Sequence, residues 1–231
     1  DQALMWYRKA ETLFGEAEDR LNLAAVKTEL AKLLEFEGRF EEAFRAYNQA
    51  FILNRALGEK LRCAELMFLI GKHFWVRRRW EESDKWLARA FRAFSELSDE
   101  PALAKVCYHR GLLERGQGRP KKALEAFKEA IEHYKAKDDR SGVAITLNSM
   151  GEVHLELKQY DEALDDFKQA LKYVSLPAEK QLASNLCARA GEAAQAARKD
   201  AEAAALFQKC LKLKTELGDE QGRAETLQQL A

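Results

Sequence analysis

The side chains best equipped for chemistry crowd into one stretch, GKHFWVRRRW, residues 71–80. Three consecutive arginines, a lysine and a histidine lie among three aromatic rings. Cations for phosphates and ring faces for bases would suit a nucleic-acid contact. Elsewhere the reactive residue types are dispersed. His73, His109, His133 and His154 fall in four different contexts, and the carboxylates of EVHLE stand two positions either side of His154, the wrong spacing for one helix face. Cys63, Cys107, Cys187 and Cys210 form neither a CxxC pair nor a zinc-type Cys/His cluster, and are read as reduced thiols. The basic, glycine-containing RGQGRPKK (115–122) lacks the phosphate-loop spacing, and no dinucleotide, zinc-protease or serine-hydrolase motif occurs. The chain is therefore read as non-enzymatic, with no metal site and no cofactor.

Composition narrows the class further. The 38 basic and 38 acidic residues cancel, so no global field draws the chain to nucleic acid or to an anionic membrane. Three prolines and twelve glycines in 231 residues, with Ala, Leu, Glu and Lys abundant, favour helix throughout. No apolar run is long enough to span a bilayer. A cytoplasmic location is expected. The chain starts at Asp1, so targeting signals are not read from it.

What must position the loud stretch is a repeat. Five segments align at intervals of 40 residues, beginning at Glu29, Leu69, His109, Ser149 and Arg189. One column is small: Ala31, Gly71, Gly111, Gly151, Gly191. A second is Ala43, Ser83, Ala123, Ala163, Ala203, and a third is Ala50, Ala90, Ala130, Ala170, Cys210. Between these two stands a large apolar column, Tyr47, Leu87, Phe127, Phe167, Phe207. Steps of four and three place the last three columns on one helical face. Small residues let helix axes approach; large ones fill the space between them. The junctions ALGEK, ELSDE, AKDDR and ELGDE read as helix stops.

These columns resemble the tetratricopeptide repeat (TPR): a small residue in helix A, an aromatic near the A–B turn, then Ala, Phe or Tyr, and Ala along helix B. Tyr160, Ala163, Phe167 and Ala170 match most fully; Asp200 departs in the turn column otherwise held by Phe40, Trp80, Pro120 and Tyr160. The 40-residue period is similar to the repeats of LGN-type polarity adaptors and kinesin light chains, and to sensor domains of bacterial regulators. The resemblance implies an all-α solenoid, a right-handed superhelix of antiparallel helix pairs. One array over 1–231 is expected, with a half-repeat at 1–20, repeats at about 21–60, 61–100, 101–140, 141–180 and 181–220, and a partial repeat at 221–231. Both ends then fall within a repeat, and the expectation is a piece of a longer array or multidomain protein, with end-to-end self-association as a further expectation.

In this register Gly71 is the helix-packing residue, Phe74 shares a core column with Leu34, and Trp80 is the turn aromatic. Arg77, Arg78 and Arg79 fall in the A–B turn, an edge patch for phosphate or acidic protein if they are free. The resemblance implies that a concave groove is lined by Lys32, Phe68, Lys72, Trp75, Tyr108, Leu112, Arg115, Asn148 and Glu152, with Thr28 and Glu35 beside them. The N-terminal part of this set is basic and aromatic, which fits a protein or peptide with an apolar anchor and acidic character. Lys32 and Lys72 stand where the chaperone-tail carboxylate clamp of some TPR proteins has asparagines, so that assignment is not made. The expected function is a protein- or peptide-binding scaffold. The alternatives are a regulatory sensor domain of a larger signalling or transcription protein and, against the zero net charge, an RNA-binding helical repeat.

Overall fold

The computed structural model describes residues 2–175 and 178–230, and those residues form twelve helices and no strand. They divide into two compact units, Asp1–Gln117 and Gly118–Ala231. The first holds α1 (Gln2–Glu16), α2 (Arg20–Phe36), α3 (Phe40–Ala56), α4 (Lys60–Val76), α5 (Trp80–Leu97) and α6 (Glu100–Gly116). The second holds α7 (Pro120–Ala136), α8 (Arg140–Glu156), α9 (Tyr160–Tyr173), α10 (Lys180–Ala196), α11 (Asp200–Leu217) and α12 (Glu220–Leu230). The expected repeat 101–140 thus gives one helix to each unit. Within each unit every helix packs on the next, the stacking of an all-α repeat solenoid.

From α2 onward a helix starts every 20 residues, because the turns are nearly identical. Nearly every turn holds one residue with positive φ, at 18, 38, 58, 78, 98, 118, 138, 158, 198 and 218. Glycine fills four of these positions; at the others a side chain tolerates the left-handed region. Arg78, the middle of the three arginines, is one, with φ 55°. Where the turn ends in aspartate, the side chain caps the next helix. Asp19, Asp99 and Asp139 accept from the backbone N–H groups of Asn22, Ala102 and Gly142 at 3.1, 3.1 and 2.8 Å. The α9–α10 connection differs: α9 ends in an extended Val174.

The repeat columns form the core. Tyr47, Leu87, Phe127 and Phe167 have no exposed surface, and Phe207 is 2% exposed. The small column is explained by what it faces. A Cβ on Gly71 would stand 2.8 Å from Leu87, and one on Gly151 or Gly191 would stand 2.6 Å from Phe167 or Phe207. Gly15, exposed on α1, has nothing within 4 Å of its notional Cβ. Gly151→Ala should therefore destabilise the chain by about 1–3 kcal/mol through overpacking. Gly15→Ala should stabilise it by about 0.5–1 kcal/mol through lower chain entropy. Chemical denaturation of the two variants checks the opposite signs.

Candidate functional site

Helices α2, α4 and α6 each present one stripe to a common groove in the first unit. Its volume is about 820 Å³. Thr28 and Lys32 of α2, Phe68 and Leu69 of α4, and Ala102 and Lys105 of α6 line it, with Tyr7 of α1 at one side. Of the residues read from the sequence, Lys32, Phe68 and the adjoining Thr28 border this cavity. Arg62, Glu65 and Lys105 border it as well and were not read from the sequence. Register could have found them, since Glu65 and Lys105 lie about one turn, and Arg62 nearly two turns, toward the helix N-terminus from Phe68 and Tyr108. The charges balance: Lys32, Arg62 and Lys105 against Glu29, Glu65 and Asp99. Lys32 already pairs with Glu29 at 2.7 Å, and Asp99 is engaged as a cap.

Lys72, Trp75 and Tyr108 form a second cluster beside the groove, joined to it through Phe68. The Lys72 ammonium sits 5.7 Å over the Phe68 ring, and no carboxylate pairs with it among the described residues. His109 lies at the centre of the cluster, edge-on to Phe68 at 5.1 Å, Tyr108 at 5.5 Å and Trp75 at 6.2 Å. Burial, helped by the Lys72 charge, holds the imidazole well below its usual range, at about 3, so it is neutral at physiological pH. Trp75 is half-buried, packed against the core of α4, α5 and α6, and its Nε1 is enclosed. Leu112 and Arg115 are half-buried farther along α6. Asn148 and Glu152 belong to the second unit, where the Asn148 amide donates to Glu152 at 3.3 Å.

Other titratable groups turn inward. Glu35 accepts from the Tyr47 hydroxyl at 3.2 Å and meets Nδ1 of His73 at 3.0 Å. His73 is wholly buried and stacks on Phe44 with ring centroids 5.8 Å apart. Glu35 thus serves the α2–α3–α4 core and not the groove. In the second unit His154 Nδ1 meets Asp166 at 2.7 Å. Burial raises the Asp166 carboxyl against the opposing pull of the histidine. Neither histidine shares a hydrogen bond with a hydroxyl or thiol among the described residues.

The arginine turn is largely engaged in local contacts. Arg77 donates to Glu41 at 2.7 Å and lies 5.6 Å over Phe40. Arg79 donates through Nε to Glu82 at 2.9 Å and covers Phe74 at 5.0 Å. Phe74 is buried; Trp80 is half-exposed and rests beside Gly116, where a Cβ would stand 2.9 Å from its ring.

A tetratricopeptide repeat family model matches residues 62–136 and 108–174. Solved structures extend the match. BtubC (BKLC) from P. vanneervenii superposes with a TM-score of 0.81 at 16% identity, over 93% of this chain and 91% of that one. Aspartyl phosphate phosphatase F from Bacillus subtilis gives 0.76 at 14% identity, over 99% of this chain and 64% of that one. The Rap conjugation gene regulator of plasmid pLS20, solved with the Phr* peptide, gives 0.67 at 14% identity, over 91% and 58%. No curated protein matches in sequence. The repeat columns, the stacked helix pairs and these matches make the chain a tetratricopeptide-repeat protein.

Proposed function

We infer that the chain is a protein-interaction scaffold whose first unit holds an extended peptide in the groove of α2, α4 and α6. The observation that carries this reading is the cavity of about 820 Å³ built from one stripe of each of those helices. Its volume and mixed lining are those of a ligand site. Phe68 offers an apolar contact where the groove meets the Lys72 cluster. The unpaired Lys72 ammonium beside it suits a carboxylate on the partner, while the balanced groove charges select for shape. The Rap regulator solved with a peptide supports a peptide partner by fold likeness. That regulator and the phosphatase, of which this chain spans 58% and 64%, favour the sensor reading as the alternative, with the same groove as the input of a larger regulatory protein. The nucleic-acid reading loses its main support, since Arg77 and Arg79 face Glu41 and Glu82.

The test selects binders from a random peptide library. Titrations then compare wild type, Ala25→Trp, which blocks the groove from an exposed lining position, and Lys72→Ala. Ala25→Trp should weaken selected peptides at least tenfold with helix content unchanged, and Lys72→Ala should weaken the acidic ones. Equal affinity for wild type and the blocked variant overturns the groove.

A further inference from the structure

A second cavity, of about 570 Å³, lies on the other side of α4. Residues 62, 65, 66, 68 and 69 of α4 face the groove, whereas 60, 63 and 67 face this cavity. At 3.6 residues per turn the two sets lie roughly half a turn apart. The second cavity is walled by α3 and α5, and its lining is chemically one-sided. Arg55, Lys60 and Arg89 stand against a single carboxylate, Glu96. None of the three cations has a carboxylate partner among the described residues. Cations normally spread and pair on a protein surface. Here Arg89 is held in place, its guanidinium stacked 4.2 Å from Trp86 and 5.8 Å from Phe51. Trp86 is in turn edge-on to Phe51 at 5.9 Å. A stacked guanidinium keeps its N–H edge free and oriented, the arrangement that receives a carboxylate with two parallel hydrogen bonds. The rest of the lining is mostly apolar, with Phe51, Met67, Ala93 and Leu97.

We propose that this pocket is a second peptide site that captures the C-terminal carboxylate of a partner chain whose last side chain is apolar. A chain terminus carries its carboxylate and that side chain on one residue. It therefore matches a single pocket lined by both cations and apolar side chains. An inorganic anion would leave the apolar lining uncovered, and an apolar side chain alone would leave three cations unpaired. The site is separate from the groove of α2, α4 and α6, so its success or failure is independent of the reading above.

Cys63 supplies the readout. It lines the pocket and is half-buried, whereas Cys107, Cys187 and Cys210 are buried. Its reaction with an uncharged thiol reagent is followed on the whole 231-residue chain, with Cys63→Ser as the blank. The probes are N-acetyl-Gly-Ser-Leu with a free carboxylate, the same tripeptide as its C-terminal amide, and inorganic phosphate. The free acid should slow labelling at least tenfold at saturation, and the amide should not. Arg55→Ala and Arg89→Ala should each raise the protecting concentration about tenfold; Arg89→Lys, which keeps charge but loses the stacked fork, should raise it nearly as much. Ala25→Trp, which blocks the groove, should leave protection intact. Equal protection by the amide overturns the proposal, as does equal protection by phosphate, which would make the pocket a simple anion site. Loss of protection in Ala25→Trp also overturns it, by placing the ligand in the groove.

Discussion

Lowering the pH from 7 to 4 should remove roughly 3 kcal/mol of stability through His109 alone, and about 4 kcal/mol by pH 3. The imidazole is enclosed by Phe68, Tyr108 and Trp75 and lies near Lys72, and it makes no side-chain hydrogen bond among the described residues. Burial first, and the Lys72 charge second, lower it from 6.5 to about 3 in the folded chain. The unfolded chain therefore binds a proton below about pH 6.5 that the folded chain refuses until about pH 3. Stability from this residue is complete above 6.5 and falls as the pH drops through that window. Urea unfolding at several pH values, wild type against His109→Leu, isolates the effect. The leucine variant should be flatter between pH 6.5 and 3, and Lys72→Met should flatten the curve slightly. Equal slopes for wild type and His109→Leu would mean that the ring is solvated. The same charge arithmetic ties stability to binding, because an anion over Lys72 would offset the charge that, second to burial, opposes protonation of His109.

The fold was legible because a stacked repeat writes each contact several times. The columns at Ala43, Tyr47 and Ala50 recur as Ala123, Phe127 and Ala130 and as Ala163, Phe167 and Ala170, and all nine side chains are buried to zero exposure. No single segment carries that weight; the register does. The site was less legible, for two physical reasons. Groove position depends on how three A helices lean together, and sequence register places a residue on a stripe but not at a depth along it. Phe68 therefore reached the cavity while Trp75, two turns along, packed inward. The polar core pairs were missed because spacing was read along one helix. Glu35 with Tyr47, Gly71 with Ser83 and His154 with Asp166 are each 12 apart, across a tight turn and between two antiparallel helices. That interval is a usable signal in any chain of this period. The second pocket had no signal, since Arg55, Lys60 and Arg89 come from three helices and read singly as ordinary surface cations.

Phe167→Ala should cost about 3–5 kcal/mol, a large fraction of the stability of a natural domain. Phe167 is wholly buried, and its ring occupies the space opened by Gly151, where even a Cβ would stand 2.6 Å from it. Truncation leaves a void bounded on one side by a glycine, which has no side chain to relax into it. The loss should therefore exceed the transfer energy of the ring alone. Phe167→Leu should lose much less, about 1–1.5 kcal/mol, because leucine already fills this column at Leu87 against Gly71. Repeats touch only their neighbours, so the damage should be local. Amide exchange should accelerate in α8 and α9, while the groove-lining amides of α2 and α4 keep their protection. Peptide binding in the first unit should then survive a substitution that loosens the second. If Phe167→Ala abolished groove binding while the chain stayed folded, the groove of α2, α4 and α6 would depend on the second unit, and the binding element would have to be redrawn to include it.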